Sequence, residues 1–237
     1  MVKLRHALMI AGIGFILQAS RADEPAATKR TLGVQPSPAF LETIAAPYRE
    51  AVATVLKAPT LTAKAKEDSF FGHPAVYDWL LDHPDRASTA WRRLGVPCVE
   101  IRKSEAGKFL WKDEHGSELT WIPVGRYGDG VVWYATGKVK PAALVPATMV
   151  KAVAILKCSR TQIDLKGESA TMETTATVHI LTDGTAATAA LRLLGPAVPR
   201  LAEQGAEQIL LFFSGPTRHI FTFPEEAPTL LAPADKK

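Results

Sequence analysis

The chain has 237 residues, which is long enough to bury a hydrophobic core without disulfide bonds to stabilise it. Its formal net charge is +4, from 28 basic and 24 acidic side chains that are scattered along the sequence. Because a nucleic-acid-binding protein needs basic side chains gathered on one face, this distribution argues against that function class.

The first 22 residues have the three parts of a cleavable secretory signal peptide. A basic start is followed by the apolar run from Ala7 to Ala19 and by Ser20-Arg21-Ala22, which places small residues where a signal peptidase cuts. The run is shorter than the ~20 apolar residues that a membrane-spanning helix needs, and no later segment reaches that length. We therefore expect a mature chain that begins at Asp23, has no transmembrane segment and is periplasmic or extracellular. Cleavage also removes three basic residues and lowers the net charge from +4 to +1.

Both ends of the mature chain are predicted to lack fixed structure. Residues 23–38 are polar and contain prolines, as in a flexible linker, and residues 224–237 have the same character. Between the linker and the main domain, apolar residues recur at helical spacing over 39–58 and are interrupted by Pro47. This pattern predicts a helical extension made of one helix preceded by a shorter one.

The main domain is predicted over 60–223 and begins with a strand at 60–66, where apolar and polar residues alternate. A helix that begins at Pro74 and a second helix that ends at Gly95 follow it. From residue 96 the alternation has a period of two, and the short turns between its segments imply antiparallel neighbours. The predicted strands of this run are 97–103, 108–112, 118–124, 131–138, 147–161 and 169–181.

The last predicted strand has one polar and one apolar face, so we expect a helix to cover the apolar face. The region from Ala186 to Phe213 repeats apolar residues at helical intervals. Pro196 and Pro199 are predicted to kink or divide this helix, and Ser214-Gly215-Pro216 is predicted to end it. Together these elements predict an α+β fold in which a curved antiparallel sheet grips a long C-terminal helix.

Two segments and the order of the elements carry a resemblance to a known superfamily. Residues 75–86, Ala-Val-Tyr-Asp-Trp-Leu-Leu-Asp-His-Pro-Asp-Arg, resemble its two small helices after the first strand. Thr182-Asp183-Gly184, leading into Ala190-Leu191-Arg192-Leu193-Leu194-Gly195-Pro196, resembles its last strand running into the long helix. The superfamily is the START-like or Bet v 1-like one, which includes polyketide cyclases and lipid-transfer proteins, and the resemblance covers about 60–223. It implies a helix-grip domain with an apolar cavity between sheet and helix, suited to a hydrophobic small molecule or a lipid.

Aromatic residues are concentrated on neighbouring predicted strands, where two interpretations are open. Either they line a ligand pocket or they form the core of the sheet. Alternation places Trp133 and Tyr134 on opposite sides of their strand. The candidate ligand-binding residues are Phe109, Trp111, Trp121, Trp133, Tyr134, Met149 and Leu194.

The densest titratable cluster, Asp78, Asp82, His83 and Asp85, lies where the two small helices meet. This position favours a helix end and an Asp cap for the next helix over acid–base chemistry or cation binding. The sequence has no zinc or calcium spacing, nucleophile elbow or phosphate-binding loop, so we predict no metal site, cofactor or catalytic residue.

Cys98 and Cys158 both lie in predicted strands. An oxidising compartment allows them to form a disulfide bond, and the alternative is a pair of buried free thiols. Both interpretations stay open.

Three functions are compatible with these observations. The first is an exported, non-catalytic module that binds a hydrophobic small molecule or lipid in the cavity. The alternatives are an exported scaffold with a filled cavity, and a cyclase- or hydrolase-type enzyme that uses groups such as Asp129, Tyr134 or His179 there. A void of ~300 Å³ or more would favour binding, a closed core would favour the scaffold, and an enzyme needs two titratable side chains facing one enclosed space.

Overall fold

The structure, a computed structural model, describes residues 35–65, 68–113, 116–140, 147–182 and 197–233. The predicted signal peptide, residues 23–34 of the predicted linker and the candidate Leu194 lie outside these ranges. No helix in the described ranges combines the length and the apolar character needed to cross a membrane.

In the described residues, eight strands form one antiparallel sheet, as the alternating sequence and short turns predict. The strand order is β1-β8-β7-β6-β5-β4-β3, and β2 also pairs with β8. The strands are β1 (Leu61–Lys64), β2 (Asp68–Gly72), β3 (Ile101–Lys103), β4 (Phe109–Lys112), β5 (Glu118–Tyr127), β6 (Gly130–Val139), β7 (Thr148–Thr161) and β8 (Ala170–Thr182).

The predicted set of strands lacks β2. We predicted one strand over 60–66, whereas the chain forms two short strands that pair end to end with the long β8. Leu61 of β1 lies opposite Ile180, and Phe70 of β2 lies opposite Met172. Two adjacent phenylalanines, Phe70 and Phe71, break the alternation of apolar and polar residues, so periodicity gives no clear signal for β2.

The helices flank this sheet and include the predicted pair of small helices. Both members of that pair begin with proline at the first helical position, where the missing N–H would have had no partner. The described helices are α1 (Pro38–Glu42), α2 (Arg49–Lys57), α3 (Pro74–Asp82), α4 (Pro84–Arg93), α5 (Ala197–Thr222) and α6 (Ala227–Leu231). Short 3-10 turns occur at Ala46–Tyr48 and Pro224–Glu226.

The two faces of the sheet are covered by different parts of the chain. The long helix α5 lies across the face that carries Phe109, Trp133 and Leu156, which we call the concave face. The opposite, convex face is covered by the N-terminal helical extension of α1 and α2. The predicted fold class is confirmed: this is an α+β fold in which a curved antiparallel sheet grips a long C-terminal helix.

The extension is joined to the convex face by backbone contacts as well as by apolar packing. The Ala45 N–H donates to the carbonyl of Val124 in β5 (2.7 Å), and Ile44 forms a β-bridge with Gly125. A Cβ at Gly125 would overlap the carbonyl oxygen of Thr43, so glycine permits this close approach. The cluster beneath the extension consists of Phe40, Ile44, Val52, Val55, Leu56, Val124, Val132, Tyr134 and Val153.

The helix α5 continues past Ser214-Gly215-Pro216, where we predicted its end, and finishes at Thr222. Pro216 has no N–H, so the carbonyl of Phe212, four residues earlier, loses its helical hydrogen bond. The indole Nε1–H of Trp91 in α4 donates to this carbonyl instead (3.0 Å). Gly215 makes room for the indole, because a Cβ there would overlap the ring. The predicted helix stop is therefore wrong, since another helix supplies the hydrogen bond that Pro216 cannot.

The predicted disordered tail is corrected over residues 224–233, which form a 3-10 turn and α6. Leu230 is buried against α4 and α5. The Arg93 guanidinium donates to the carbonyls of Thr229 (2.5 Å), Ala232 (2.9 Å) and Pro233 (2.9 Å). The Thr229 carbonyl belongs to the last turn of α6 and the other two follow the helix, where carbonyls lack helical partners, so Arg93 fixes this end of the chain.

Candidate ligand cavity

An apolar cavity lies between the concave face of the sheet and α5. The sheet contributes side chains from β3 to β7, the helix contributes one stripe, and α4 and the segment before β3 complete the lining. The lining residues are Pro84, Cys98, Val99, Ile101, Phe109, Trp111, Leu119, Trp121, Trp133, Ala154, Leu156, Gly205, Gln208, Ile209, Phe212 and Phe213.

Strand register brings the aromatic side chains of the sheet together at this cavity. Phe109 lies opposite Trp121 in the β4–β5 pair, and Trp111 lies two residues further along the same face. Trp133 of β6 shares that face, and its ring contacts Phe109 with the centroids 5.8 Å apart. Four aromatic residues that are distant from the helix in sequence therefore form one continuous surface facing α5.

The helix contributes residues at the spacing of a single helical face. Gly205, Gln208, Ile209 and Phe212 follow the i, i+3, i+4, i+7 pattern of a stripe that faces the sheet. Among the described residues, apart from the backbone of α5 itself, no heavy atom lies within 4 Å of a Cβ placed on Gly205. The cavity is thus open at the position where α5 carries no side chain.

The cavity has a volume of about 130 Å³. Sites for drug-sized ligands have volumes of ~300 to ~1,000 Å³, so the cavity is smaller than the volume we expected for a ligand site. A void of this size is nevertheless large enough for a ligand, since an engineered apolar cavity of ~150 Å³ in another protein binds benzene. The concave core is therefore not closed. The space corresponds to one small apolar molecule.

Few polar groups face the cavity. The described lining residues include no Asp, Glu, Lys, Arg or His. Burial raises the pKa of the Cys98 thiol, which lies 3.9 Å from the Ser88 hydroxyl. The indole Nε1 of Trp133 is buried and has no hydrogen-bond partner within the described part of the chain. The lining offers apolar contact, the Cys98 thiol, the Trp133 indole N–H and the Gln208 amide rather than acid–base groups.

The structure brings four of the seven candidate ligand-binding residues together and separates two. Tyr134 belongs to the convex-face cluster, on the opposite side of β6 from Trp133, as alternation predicts. Met149 is 54% exposed and lies outside the cavity. Both assignments are corrected, and Leu194 lies outside the described residues. The four candidates at the cavity are Phe109, Trp111, Trp121 and Trp133.

Sequence reasoning missed the helix side of the cavity. Gly205, Gln208, Ile209 and Phe212 were interpreted only as parts of a covering helix. The available signal is a glycine within an apolar helical stripe, since glycine is costly in a helix interior and marks a place without a side chain.

The groups considered for an enzyme do not converge. Asp129 lies in the exposed turn between β5 and β6, whereas Tyr134 and His179 lie on the convex face. His179 is 6% exposed, and its Nδ1 is 3.0 Å from the hydroxyl of Thr62. None of the three lines the cavity.

The titratable cluster between α3 and α4 is dispersed into separate ion pairs. Asp78 pairs with Arg160 at 2.6 Å, and Asp82 pairs with Arg126 at 2.7 Å. The predicted Asp cap is wrong, because the residue at the N-cap of α4 is His83 and its side chain makes no capping hydrogen bond. No cluster of metal-binding side chains occurs in the described part of the chain.

Cys98 and Cys158 are free thiols in the structure; Cys158 is buried, whereas Cys98 is half-buried. Cys98 lines the cavity, whereas Cys158 is buried in the core of the concave face. Burial raises the pKa of the Cys158 thiol as well. Both thiols are therefore protonated at neutral pH and weakly nucleophilic.

Comparison with known proteins gives structural neighbours of low similarity. No family model matches the chain, and no curated protein sequence matches it. Similar solved structures include a conserved protein from Geobacillus kaustophilus, with 14% identity, 68% of this chain and 95% of that chain covered, and a TM-score of 0.42. Truncated norcoclaurine synthase from Thalictrum flavum has 10% identity and a TM-score of 0.31, with 64% of this chain and 94% of that chain covered. An uncharacterized protein from Rhizobium leguminosarum has 13% identity and a TM-score of 0.30, with 66% of this chain and 99% of that chain covered. Likeness at this level carries no argument about function.

Proposed function

We propose that this chain is an exported, non-catalytic module that binds one hydrophobic small molecule between the sheet and α5. The observation that carries the proposal is the apolar cavity of about 130 Å³, which has aromatic side chains on one side and Gly205 on the other. Burying apolar ligand surface contributes roughly 25 cal/mol per Å², so a void with such a lining is a source of binding free energy.

We further propose that the chain is a distant member of the START-like or Bet v 1-like superfamily. The support is the order of elements in the structure: a first strand, two small helices, an antiparallel run and a long C-terminal helix. The resemblance of residues 75–86 and 182–196 agrees with that order. In such a domain the space between sheet and helix is the expected place for a ligand.

The non-catalytic part of the proposal rests on the chemistry of the lining. Among the described lining residues, Cys98 is the one titratable side chain, and its raised pKa keeps it a thiol. General acid–base catalysis needs a positioned proton donor or acceptor that titrates near the working pH. The cavity favours a neutral molecule over a lipid with a charged head group, because an unpaired charge is costly to bury.

The scaffold alternative assigned partner docking to the segment from Tyr48 to Leu56. Val52, Val55 and Leu56 of this segment are already buried against the convex face. Its apolar side chains are therefore engaged within the chain, and the concave core contains an open volume rather than a filled one. Both observations favour the ligand-binding proposal.

Native mass spectrometry of the gently purified mature chain, followed by thermal unfolding with a library of fatty acids and aromatic hydrocarbons, tests the binding function. We expect a co-purified small molecule or a rise in Tm with at least one library member, because a ligand that binds only the folded state stabilises it. Ile209→Trp adds volume at the cavity and should abolish the effect. Leu211→Trp makes a similar change on α5 outside the cavity lining and should retain it. If no library member raises Tm and no mass co-purifies, the proposal is wrong.

Export has its own test, because it rests on residues 1–22 alone. We expect the processed chain to begin at Asp23 and to be recovered outside the cytoplasm, as N-terminal sequencing of fractionated cells will show. An intact N-terminus at Met1 in the cytoplasm would contradict the export part and leave ligand binding unaffected.

A further inference from the structure

We infer that the ligand is a neutral molecule with a single aromatic ring, and that Gly205 sets the upper limit on its size. This inference rests on the proposed function and narrows it from hydrophobic molecules in general to one size and shape.

The size follows from the volume of the cavity. At about 130 Å³ it is close to the ~150 Å³ of an engineered apolar cavity that holds one benzene molecule. It is well below the ~300 Å³ at which sites for larger ligands begin. A long acyl chain or a molecule of three or more fused rings therefore does not fit wholly inside this volume.

The shape follows from the side chains that face each other across this space. Trp121 and Trp133 present indole rings from the sheet, and Phe212 presents a phenyl ring from α5. Aromatic pairs gain roughly 0.5–1.5 kcal/mol beyond the area they bury, through offset or edge-to-face contacts. A flat ring inserted among these side chains makes such contacts on several sides, whereas an aliphatic molecule of equal volume makes none.

Neutrality follows from the absence of countercharges. The described lining residues carry no charged side chain, so a carboxylate or an ammonium group in the cavity would lose its hydration without a partner. Among the same residues, the Nε1–H of Trp133 is a buried donor without a hydrogen-bond partner. A single-ring ligand with no more than one neutral polar substituent fits this chemistry.

Gly205 limits the size because it lies on the helix side of the cavity and has empty space where a side chain would begin. An alanine methyl group extends into that space without displacing a described neighbour. A methyl group there shortens the cavity, and a leucine side chain occupies much of it. Substitutions at Gly205 should therefore change the size of the ligand that binds without destabilising the fold.

Isothermal titration and thermal unfolding with toluene, propylbenzene, pyrene and dodecanoate test the inference. We expect toluene and propylbenzene to bind the native chain and to raise its Tm, with pyrene and dodecanoate at least tenfold weaker. Gly205→Ala should retain toluene and weaken propylbenzene, and Gly205→Leu should weaken toluene at least tenfold while remaining folded. Gln204→Leu adds the same side chain at the neighbouring exposed position and should bind like the native chain.

The outcomes separate this inference from the proposed function. If dodecanoate or pyrene binds and toluene does not, the single-ring inference is overturned while ligand binding stands. If toluene binds Gly205→Leu and the native chain equally, the role of Gly205 is overturned. If none of the four probes binds, no member of the wider library raises Tm and no small molecule co-purifies, the inference and the proposed function are both wrong.

Discussion

Both faces of the sheet are covered by helices, but the two interfaces differ in how completely they are filled. On the convex face, the side chains of the N-terminal extension pack against valines of β5, β6 and β7 and against Tyr134, and Val52, Val55 and Val132 are fully buried. On the concave face, indole and phenyl rings meet a helical stripe that contains Gly205, and an open volume remains. The residue types differ as well: the convex cluster is mostly branched aliphatic, with Phe40 and Tyr134 among its members, whereas the concave face sets four aromatic side chains opposite a helix position without a side chain.

The way each covering segment is attached accounts for a second difference. The extension approaches β5 closely enough for a backbone hydrogen bond from Ala45 to Val124, which leaves no room between them. The helix α5 is held instead by side chains at its C-terminal half, where Trp91 bonds to Phe212 and Ser214 donates to Asp68 (2.7 Å). A helix fixed by side chains can span a gap, and this arrangement permits a cavity.

Ile44→Ala on the convex face should have the largest effect on stability. Ile44 is 1% exposed in the filled cluster, so the substitution removes apolar contacts and leaves a void that costs about 2–5 kcal/mol. Ile209→Ala is the matched change at the cavity, where the side chain is half-buried and already borders open space. We expect less than half the loss there, measured by urea unfolding. Equal losses would show that the two interfaces are packed alike.

Trp91→Phe should come next, because it leaves the carbonyl of Phe212 without a hydrogen bond. A buried group that loses its partner costs about 1–3 kcal/mol. Pro216→Ala supplies an N–H to that same carbonyl, so it should recover part of the loss in the Trp91→Phe background. Urea unfolding of the two single variants and the double variant gives the coupling free energy. Strictly additive effects would mean that the indole stabilises α5 by packing alone.

Two glycines of α5 have different surroundings, because Gly215 lies against the Trp91 ring and Gly205 borders the open cavity. Gly215→Ala places a methyl group against the Trp91 ring, and such overpacking costs about 1–3 kcal/mol. Gly205→Ala places the same group in open space, where the higher helix propensity of alanine should stabilise the fold by up to about 1 kcal/mol. The two variants should therefore shift Tm in opposite directions. A loss of stability in Gly205→Ala would show that the cavity is already occupied by the chain.

Local sequence patterns predicted those features of the two faces that depend on residues close together in sequence. Alternation and helical spacing gave the fold class, and alternation also placed Trp133 and Tyr134 on opposite faces. Alternation does not say which face meets α5, and for this reason Tyr134 was wrongly included in the site. The course of α5 through Pro216 depends on Trp91, which is 121 residues away from Phe212 in sequence. The cavity itself depends on which helical stripe meets the tryptophans, and that is decided only by tertiary packing.

The smallest expected effect is a pH dependence that belongs to the convex face. His179 is buried there beside Thr62, and burial, with a smaller contribution from Lys64, lowers its pKa. The unfolded chain therefore takes up a proton more readily than the folded one. The stability that neutral His179 contributes is complete above the ordinary histidine pKa of about 6.5 and falls as the pH drops below it.

His179→Gln removes this titration from the folded and unfolded states alike. Urea unfolding near pH 7.5 and near pH 5.5 should show the native chain losing more stability than the variant over that interval. Thr62→Val keeps the histidine buried and removes its hydrogen-bond partner, so it should retain the native pH dependence if burial is the main cause. If His179→Gln and the native chain lose the same free energy, another group is responsible and the convex face does not titrate. If the pH dependence is confined to the convex face, ligand binding on the concave face should not change between pH 5.5 and 7.5. No described lining residue titrates in that pH range.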